Sequence, residues 1–241
     1  MATPPSVPHV ALVTGAAGGL GQALVTEFAH HGWWVVAACH RAPLPPEATQ
    51  IWPVQLDVTD HRRVAEVVEQ TVARWGRLDV LVNNAGTTAD QPFWHLTEAD
   101  WDRVLAVNLK GAFSCSQAAL RPMLRQRDGH VINIASFSAR SGPRGQANYA
   151  TAKAGLIGLT QSLAKEVGTR NVRVNAVLPG VLRTPMTAVL TESQLAELAA
   201  ANALGRLNDL NEVARFVVFL ATTRNVSGQL FQLDSRVARW T

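Results

Sequence analysis

A short apolar run passes directly into a glycine-rich turn at His9-Val10-Ala11-Leu12-Val13-Thr14-Gly15-Ala16-Ala17-Gly18-Gly19-Leu20-Gly21. The apolar run predicts a buried parallel strand. After the turn, helical spacing over Gln22–His31 predicts a helix, which Gly32 can cap. Small residues allow a pyrophosphate to approach the backbone, and a helix N-terminus favours negative charge. The strand, turn and helix together predict a dinucleotide-binding turn.

Alternating strand and helix patterns continue along the chain. This alternation predicts an α/β fold: a three-layer, Rossmann-type, doubly wound parallel sheet in a single domain over residues 1–241. The predicted strands are Trp33–Ala38, Val54–Leu56, Val80–Val82, Val131–Ile134, Val172–Val177 and Gln229–Leu233. The predicted helices are Asp60–Trp75, Asp100–Arg125, with its end disturbed by Pro122, Asn148–Val167, Thr191–Ala200 and Asn211–Leu220.

Composition excludes several classes of protein. Of the 241 residues, 47% are hydrophobic and 17% charged, which is typical of a globular domain. The net charge of +4 is not gathered into a basic block, so nucleic-acid binding is not expected. No apolar run is long enough for a membrane span, and no histidine cluster indicates a metal. The two cysteines, Cys39 and Cys115, are expected to stay reduced in the cytoplasm.

The residues after the second strand favour one dinucleotide over the other. An NAD site needs an acidic residue here, but the sequence has Cys39-His40-Arg41. His40 and Arg41 can pair with a 2′-phosphate, which a carboxylate would repel. The cofactor predicted from these residues is NADP(H).

A second group of residues lies further along the chain at Tyr149-Ala150-Thr151-Ala152-Lys153. Residues four apart share one helix face, so Tyr149 and Lys153 can enter the same site. An isolated tyrosine has a pKa of about 10. A neighbouring ammonium is expected to lower the pKa of Tyr149, which would then donate a proton to a carbonyl oxygen. Ser136, thirteen residues earlier, can hydrogen-bond the same oxygen.

Together with the glycine-rich turn, this motif resembles the short-chain dehydrogenase/reductase family. Asn83-Asn84-Ala85-Gly86, Asp57-Val58, Asn108 and Pro179-Gly180 with Thr184 are similar to further motifs of that family, in the same order. The resemblance implies Asn108, Ser136, Tyr149 and Lys153 as catalytic residues, with Asn108 holding a water in a proton relay and Lys153 binding the nicotinamide ribose. It implies cofactor contacts at Gly15, Ala17, Gly18, Gly19, Leu20, His40, Arg41, Asp57, Val58, Asn84, Ala85, Gly86, Tyr149, Lys153, Pro179, Gly180 and Thr184.

Within the family, the pattern is most similar to the β-ketoacyl-carrier-protein reductases and acetoacetyl-CoA reductases. Three stretches carry this likeness: Gly145–Tyr149, Arg173–Gly180 and Leu204-Gly205-Arg206. The likeness implies reduction of a 3-oxoacyl thioester by a homotetramer. It also implies an acidic carrier received near the entrance, for which Arg125, Arg127 and Arg170 are candidates; His95 is a candidate for the substrate mouth. Two alternatives remain: a reductase of another ketone or secondary alcohol, and a dinucleotide-binding sensor without catalysis.

Three features depart from the family pattern. Gly18 stands where many NADPH-using relatives have a basic residue. The Pro-rich stretch Ala42–Pro53 cannot hold a long helix. Asp234-Ser235-Arg236 replaces the usual Asp-Gly-Gly, and Arg239-Trp240 extends beyond it.

Overall fold

The computed structural model describes residues 8–41 and 49–237, and the strands in this part form one seven-stranded sheet. The strands are β1 (Val10–Thr14), β2 (Trp34–Cys39), β3 (Ile51–Gln55), β4 (Val80–Asn83), β5 (Gly129–Ile134), β6 (Val172–Leu178) and β7 (Leu230–Gln232). Their order is β3-β2-β1-β4-β5-β6-β7, and all neighbours are parallel. The strand order reverses beside β1, which opens a crevice at the carboxyl ends of β1 and β4.

Helices cover both faces of this sheet. They are α1 (Gly19–His30), α2 (His61–Trp75), α3 (Glu98–Leu105), α4 (Gly111–Gln126), α5 (Ser138–Ser141), α6 (Ala147–Val167), α7 (Glu192–Ala200) and α8 (Leu210–Thr222). Short 3₁₀ turns span Phe93–His95 and Gly168–Arg170, and a π-helical turn spans Ala106–Lys110.

Two apolar cores lie on opposite faces of the sheet. Helices α1 and α8 supply Phe28 and Val217 to one core, and α2 and α4 supply Val67 and Ala119 to the other. The predicted three-layer, Rossmann-type α/β class is confirmed. Cys39 is buried in the first core and Cys115 in the second, so the two cysteines cannot form a disulfide with each other.

Several predicted boundaries need correction. Helix α1 begins at Gly19 rather than Gln22, because the last residues of the glycine turn are already helical. Strand β3 begins at Ile51 rather than Val54 and contains Pro53. Proline fits there because β3 is an edge strand, and Leu56 N donating to Cys39 O shows that the amide position of Pro53 faces away from β2.

The predicted helix Asp100–Arg125 is interrupted. It consists of α3, the π turn and α4, and α4 continues through Pro122 to Gln126. Short elements such as α5 and the 3₁₀ turns were not predicted, since they are too short for a hydrophobic period.

Some features of the sequence analysis fall outside the described residues. These are residues 42–48 of the Pro-rich stretch and the tail residues Arg239 and Trp240. Among the described helices, none is both long enough and apolar enough to cross a bilayer.

Candidate active site

The glycine-rich turn has no room for side chains at two positions. Gly15 has a φ of +64°, and a Cβ there would lie 2.8 Å from the Cα of Ala85. A Cβ on Gly21 would lie 2.2 Å from the Gly15 carbonyl oxygen. Helix α1 starts immediately after Gly18. Glycine has no side chain that could cap the helix, so the first backbone amides of α1 remain available to an anion. The predicted contacts Gly15, Ala17, Gly18, Gly19 and Leu20 all lie in this turn.

The segment after β4 is fixed to the same turn. Thr14 Oγ1 accepts hydrogen bonds from Asn84 N at 3.0 Å and from Ala85 N at 3.1 Å. The Asn84 side chain donates to the carbonyl oxygens of Thr14 at 2.9 Å and Gly15 at 3.2 Å. The structure therefore brings the predicted residues Asn84, Ala85 and Gly86 beside Gly15.

A basic and an acidic side chain meet at the far end of the crevice. His40 Nε2 lies 3.3 Å from Asp57 Oδ2, and Thr59 donates its amide and hydroxyl to Asp57 Oδ1 at 2.9 and 2.7 Å. Burial opposes ionisation of Asp57, but the Thr59 hydrogen bonds and the nearby His40 hold the pKa of this carboxyl below its usual value. Of the other two residues predicted here, Arg41 is exposed and Val58 is buried.

Sequence reasoning missed Arg63 in this region. His40, Gln55, Asp57, Asp60 and Arg63 line one depression. Arg63 Nε donates to the Gln55 carbonyl oxygen at 3.3 Å. Arg63 is eight residues from Gln55 in sequence, and only the start of α2 beside β3 brings the two together.

The stretch after β6 closes over the glycine turn. Gly180 has a φ of +78°, and Pro179 O accepts a hydrogen bond from Asn208 Nδ2 at 2.8 Å. A Cβ on Gly19 would lie 3.0 Å from Thr184 Cγ2. The predicted residues Pro179, Gly180 and Thr184 therefore lie on the same side of the crevice as the turn.

Tyr149, Lys153 and Ser136 meet at the carboxyl end of β5. Tyr149 stands in the first turn of α6, and its hydroxyl is close enough to the Ser136 side chain for Ser136 to lower the pKa of the phenol. Lys153 Nζ lies 5.6 Å from the centre of the Tyr149 ring and donates to Ile134 O at 2.8 Å. The Lys153 side chain is buried. The predicted serine, tyrosine and lysine thus form one cluster.

Asn108 joins this cluster from the π turn. Its Nδ2 donates to the carbonyl oxygens of Thr87 at 2.8 Å and Val104 at 2.9 Å. Its Oδ1 is buried and accepts no hydrogen bond from the described residues. A Cβ on Gly86 would lie 2.8 Å from this oxygen and 3.7 Å from Lys153 Nζ. A buried amide oxygen of this kind requires a hydrogen-bond donor.

One electrostatic expectation for the pair is wrong. Burial raises the pKa of Tyr149 to about 12, with the Asp90 carboxylate adding to the increase and the Ser136 hydrogen bond opposing it. Lys153 is not among the groups that lower the pKa of Tyr149, and burial lowers the pKa of the Lys153 ammonium itself to about 8. The Lys153 Nζ lies over the face of the Tyr149 ring and donates to the Ile134 carbonyl oxygen.

A hydrogen-bond chain behind Tyr149 was also missed. Asp90 Oδ2 accepts from Gln146 Nε2 at 2.7 Å, and Gln146 Oε1 accepts from Ser138 Oγ at 2.9 Å. Ser138 N in turn donates to Ser136 Oγ at 3.1 Å. Asp90 therefore reaches Ser136, and through it Tyr149, by a continuous series of contacts.

The three candidate carrier arginines do not lie at this entrance. Arg125 and Arg127 precede β5, and Arg170 precedes β6, whereas Tyr149 follows the end of β5. In a parallel sheet, residues that precede the strands and residues that follow them lie at opposite ends of the strands. The expectation that they line the entrance is therefore wrong within one chain. His95 lies in the exposed 3₁₀ turn Phe93–His95, near Gln91, which donates its amide to Gly145 O at 2.9 Å.

The amino-acid sequence of the chain matches known proteins over most of its length. A family model described as short chain dehydrogenase matches residues 9–195. The chain is 43% identical over 235 residues to a 3-oxoacyl-[acyl-carrier-protein] reductase of Thermotoga maritima, covering 93% of this chain and 96% of the relative. It is 38% identical over 218 residues to the Escherichia coli enzyme of the same name, covering 88% and 89%.

Solved structures give a similar result. ElxO with NADP bound is 26% identical, with a TM-score of 0.88 over 95% of this chain and 98% of that one. A Tyr-to-Phe variant of ElxO with NADPH bound is 27% identical, with a TM-score of 0.89 over the same shares of the two chains.

Proposed function

The chain belongs to the short-chain dehydrogenase family, and from this premise we propose that it reduces a 3-oxoacyl thioester to the 3-hydroxyacyl thioester with NADPH. The observation that carries the proposal is the cluster of Asn108, Ser136, Tyr149 and Lys153 beside the glycine-rich turn. The substrate class comes from the relatives, which are named as reductases of 3-oxoacyl groups on acyl carrier protein.

The cofactor assignment rests on the shape and charge of the crevice. The glycine turn and the free amides at the start of α1 fit a pyrophosphate, because side chains at Gly15 and Gly21 would fill the space. His40 and Arg41, with no acid at the end of β2, favour a 2′-phosphate. The neighbouring structures hold NADP and NADPH. When bound, NADPH supplies the hydride for the carbonyl carbon.

The proposed chemistry gives each catalytic side chain one task. Ser136 Oγ hydrogen-bonds the substrate carbonyl oxygen and fixes its position. The Tyr149 hydroxyl donates its proton to that oxygen, and a pKa of about 12 keeps the phenol protonated at neutral pH. Lys153, with a pKa of about 8, returns a proton to Tyr149 through a water held by Asn108 Oδ1.

The finer assignments concern the carrier and the assembly. We propose a homotetramer acting in the cytoplasm, with an acidic carrier protein or CoA as the acyl carrier. Arg125, Arg127 and Arg170 are at the opposite edge of the sheet from Tyr149, so a carrier held by them would serve the site of a neighbouring protomer.

The test is a comparison of substrates and nucleotides. Oxidation of NADPH and NADH is followed with acetoacetyl-CoA, a medium-chain 3-oxoacyl thioester and a panel of free ketones. We expect turnover of the thioesters with a preference for NADPH. Turnover of free ketones alone would assign another ketone substrate, and NADPH binding without turnover of any carbonyl would make the chain a sensor.

A further inference from the structure

The C-terminal segment Asp234–Arg236 contacts three separate parts of the site. A Cβ on Gly180 would lie 2.7 Å from Asp234 Cβ, so the segment packs on the stretch after β6. Ser235 Oγ accepts from Leu204 N at 3.1 Å, which joins it to the segment after α7. The Arg236 guanidinium lies 3.9 Å above the centre of the Phe137 ring. This segment is one of the departures from the family sequence.

Arg236 is held firmly in place. Its Nε donates to Asp234 Oδ2 at 2.5 Å, and the two side chains are only 13% and 2% exposed. Gln232 Nε2 donates to Asp234 Oδ1 at 2.7 Å and to the Arg236 carbonyl oxygen at 2.8 Å. With both charged groups buried and hydrogen-bonded, the guanidinium has a single orientation. A buried ion pair of this kind contributes little net stability compared with apolar packing. Its role here is to fix the position of the Arg236 guanidinium.

The ring beneath Arg236 belongs to the residue that directly follows Ser136. Phe137 is also the N-cap residue of the short helix α5. Ser138 N donates to Ser136 Oγ, so the backbone on both sides of Phe137 determines where the serine hydroxyl lies. A displacement of about 1 Å in such a group can reduce the rate about a hundredfold.

We infer that Arg236 is a positioning residue: by holding the Phe137 ring, it keeps the Ser136 hydroxyl within reach of the Tyr149 hydroxyl and the substrate oxygen. The part of this inference that concerns the substrate oxygen rests on the proposed function. The contact between Arg236, Phe137 and Ser136 does not, and it can be tested without turnover.

The main test variant is Phe137→Leu, which removes the ring and leaves the Arg236–Asp234 ion pair intact. We expect kcat to fall about tenfold, equal to about 1.4 kcal/mol in the barrier, with an unchanged dissociation constant for NADPH. The separate single variant Arg236→Lys retains a cation over the Phe137 ring and should keep most of the wild-type activity. Arg224→Met is the matched control, since Arg224 is an exposed arginine outside the site.

A second readout uses Tyr149, the only tyrosine in the chain. Carbon-13 labelling of tyrosine gives a single Cζ resonance, which reports the hydrogen bond from Ser136. In Phe137→Leu this resonance should move toward its position in Ser136→Ala, while Arg236→Lys and Arg224→Met should stay near the wild type. This measurement remains valid if no acyl thioester is turned over. A failure of the proposed function can therefore be distinguished from a failure of the inference on Arg236.

Two results would overturn the inference. One is a Phe137→Leu variant with wild-type kcat and an unmoved Tyr149 resonance. The other is an Arg236→Met variant with wild-type kcat and an unmoved resonance, which would show that the cation over Phe137 is not needed; a lower melting temperature alone would then make the contact purely structural. If Arg236 acts through Phe137, adding Arg236→Met to Phe137→Leu should cause no further loss.

Discussion

Burial determines the protonation of the two central side chains. Tyr149 has its pKa raised to about 12 and Lys153 has its pKa lowered to about 8, so both neutral forms are favoured relative to water. The phenol is thus a stable proton reservoir, and the lysine can exchange a proton near physiological pH. The direction follows from desolvation, which no spacing of residues in the sequence reveals.

Removal of the phenolic hydroxyl should separate catalysis from binding. In Tyr149→Phe we expect kcat to fall by about 10²–10⁴-fold, the usual contribution of a positioned proton donor. NADPH affinity, measured by fluorescence titration, should remain close to the wild type because the ring is retained. Residual activity above a tenth of the wild type would mean that the proton comes from another group.

The carboxylate of Asp90 should influence the pH profile. It raises the pKa of Tyr149, and reduction requires the protonated phenol. Asp90→Asn keeps an oxygen to accept from Gln146 but removes the charge, so the pKa of Tyr149 should fall. The alkaline limb of kcat/KM that follows ionisation of Tyr149, which lies above the ionisation of Lys153, should then move to lower pH.

The control for this prediction is another acidic residue. Asp102→Asn neutralises an exposed carboxylate on α3 and should leave the limb unmoved. An alkaline limb at the same pH in wild type and Asp90→Asn would show that this charge does not act on the titrating group.

Individual site residues differed in how far sequence alone could identify them. Tyr149 and Lys153 were paired by their helix spacing and Ser136 was found through the resemblance to the family, and the three are together in the structure. Asp90 is 56 residues from its partner Gln146, and Arg236 is distant in sequence from Phe137, so only the fold reveals these pairs. A contact of His40 with the cofactor phosphate was predicted, but the approach of His40 to Asp57, which follows the next strand, was not.

At the scale of elements, the π turn places Asn108. Hydrophobic periodicity predicted one continuous helix here, because a single widened turn hardly disturbs the pattern. In the structure, the π turn carries Asn108, whose side-chain amide group donates to the carbonyl oxygens of Thr87 and Val104 while its oxygen lies beside Gly86. Strand positions were predicted well, since buried parallel strands are continuous apolar runs.

Replacing each of two helical glycines by alanine should change the free energy of unfolding in opposite directions. Gly21→Ala forces a Cβ to 2.2 Å from the Gly15 oxygen, so we expect a loss of about 2 kcal/mol of unfolding free energy and weaker NADPH binding. Within residues 8–41 and 49–237, no neighbouring atom lies within 4 Å of the place where a Cβ on Gly158 of α6 would stand. Gly158→Ala should therefore stabilise the protein by roughly 0.5–1 kcal/mol through helix propensity.

Chemical denaturation measures both changes. The pair is internally controlled because each variant adds the same methyl group to a helix. A Gly21→Ala protein with wild-type stability and NADPH affinity would contradict the close approach of α1 to the glycine turn.

At the scale of the whole molecule, the sheet joins two cores, and the crevice crosses its centre. A nucleotide bound there contacts elements from both halves, so its affinity adds to the stability of the entire fold. At about one hundred times its dissociation constant, a ligand adds about 2.7 kcal/mol. For a chain of this size, this corresponds to a rise in melting temperature of about 5–10 °C.

This linkage gives a thermal test of nucleotide choice. NADPH should raise the melting temperature more than NADH at equal concentration, because His40 and Arg41 favour the additional phosphate. In Arg41→Asp the NADPH effect should shrink while the NADH effect persists, and Arg224→Asp should behave as the wild type. Equal effects of the two nucleotides on the wild type would remove Arg41 from the recognition of the phosphate.

The proline in β3 has a consequence for the protein in concentrated solution. Pro53 occupies the outward row of an edge strand, where any other residue would offer an amide hydrogen to a passing chain. An incoming strand from another molecule meets a gap in that row and cannot extend the ladder past it. The rim of the sheet thus discourages growth of fibrillar aggregates, a protection that a Pro53→Val replacement would take away.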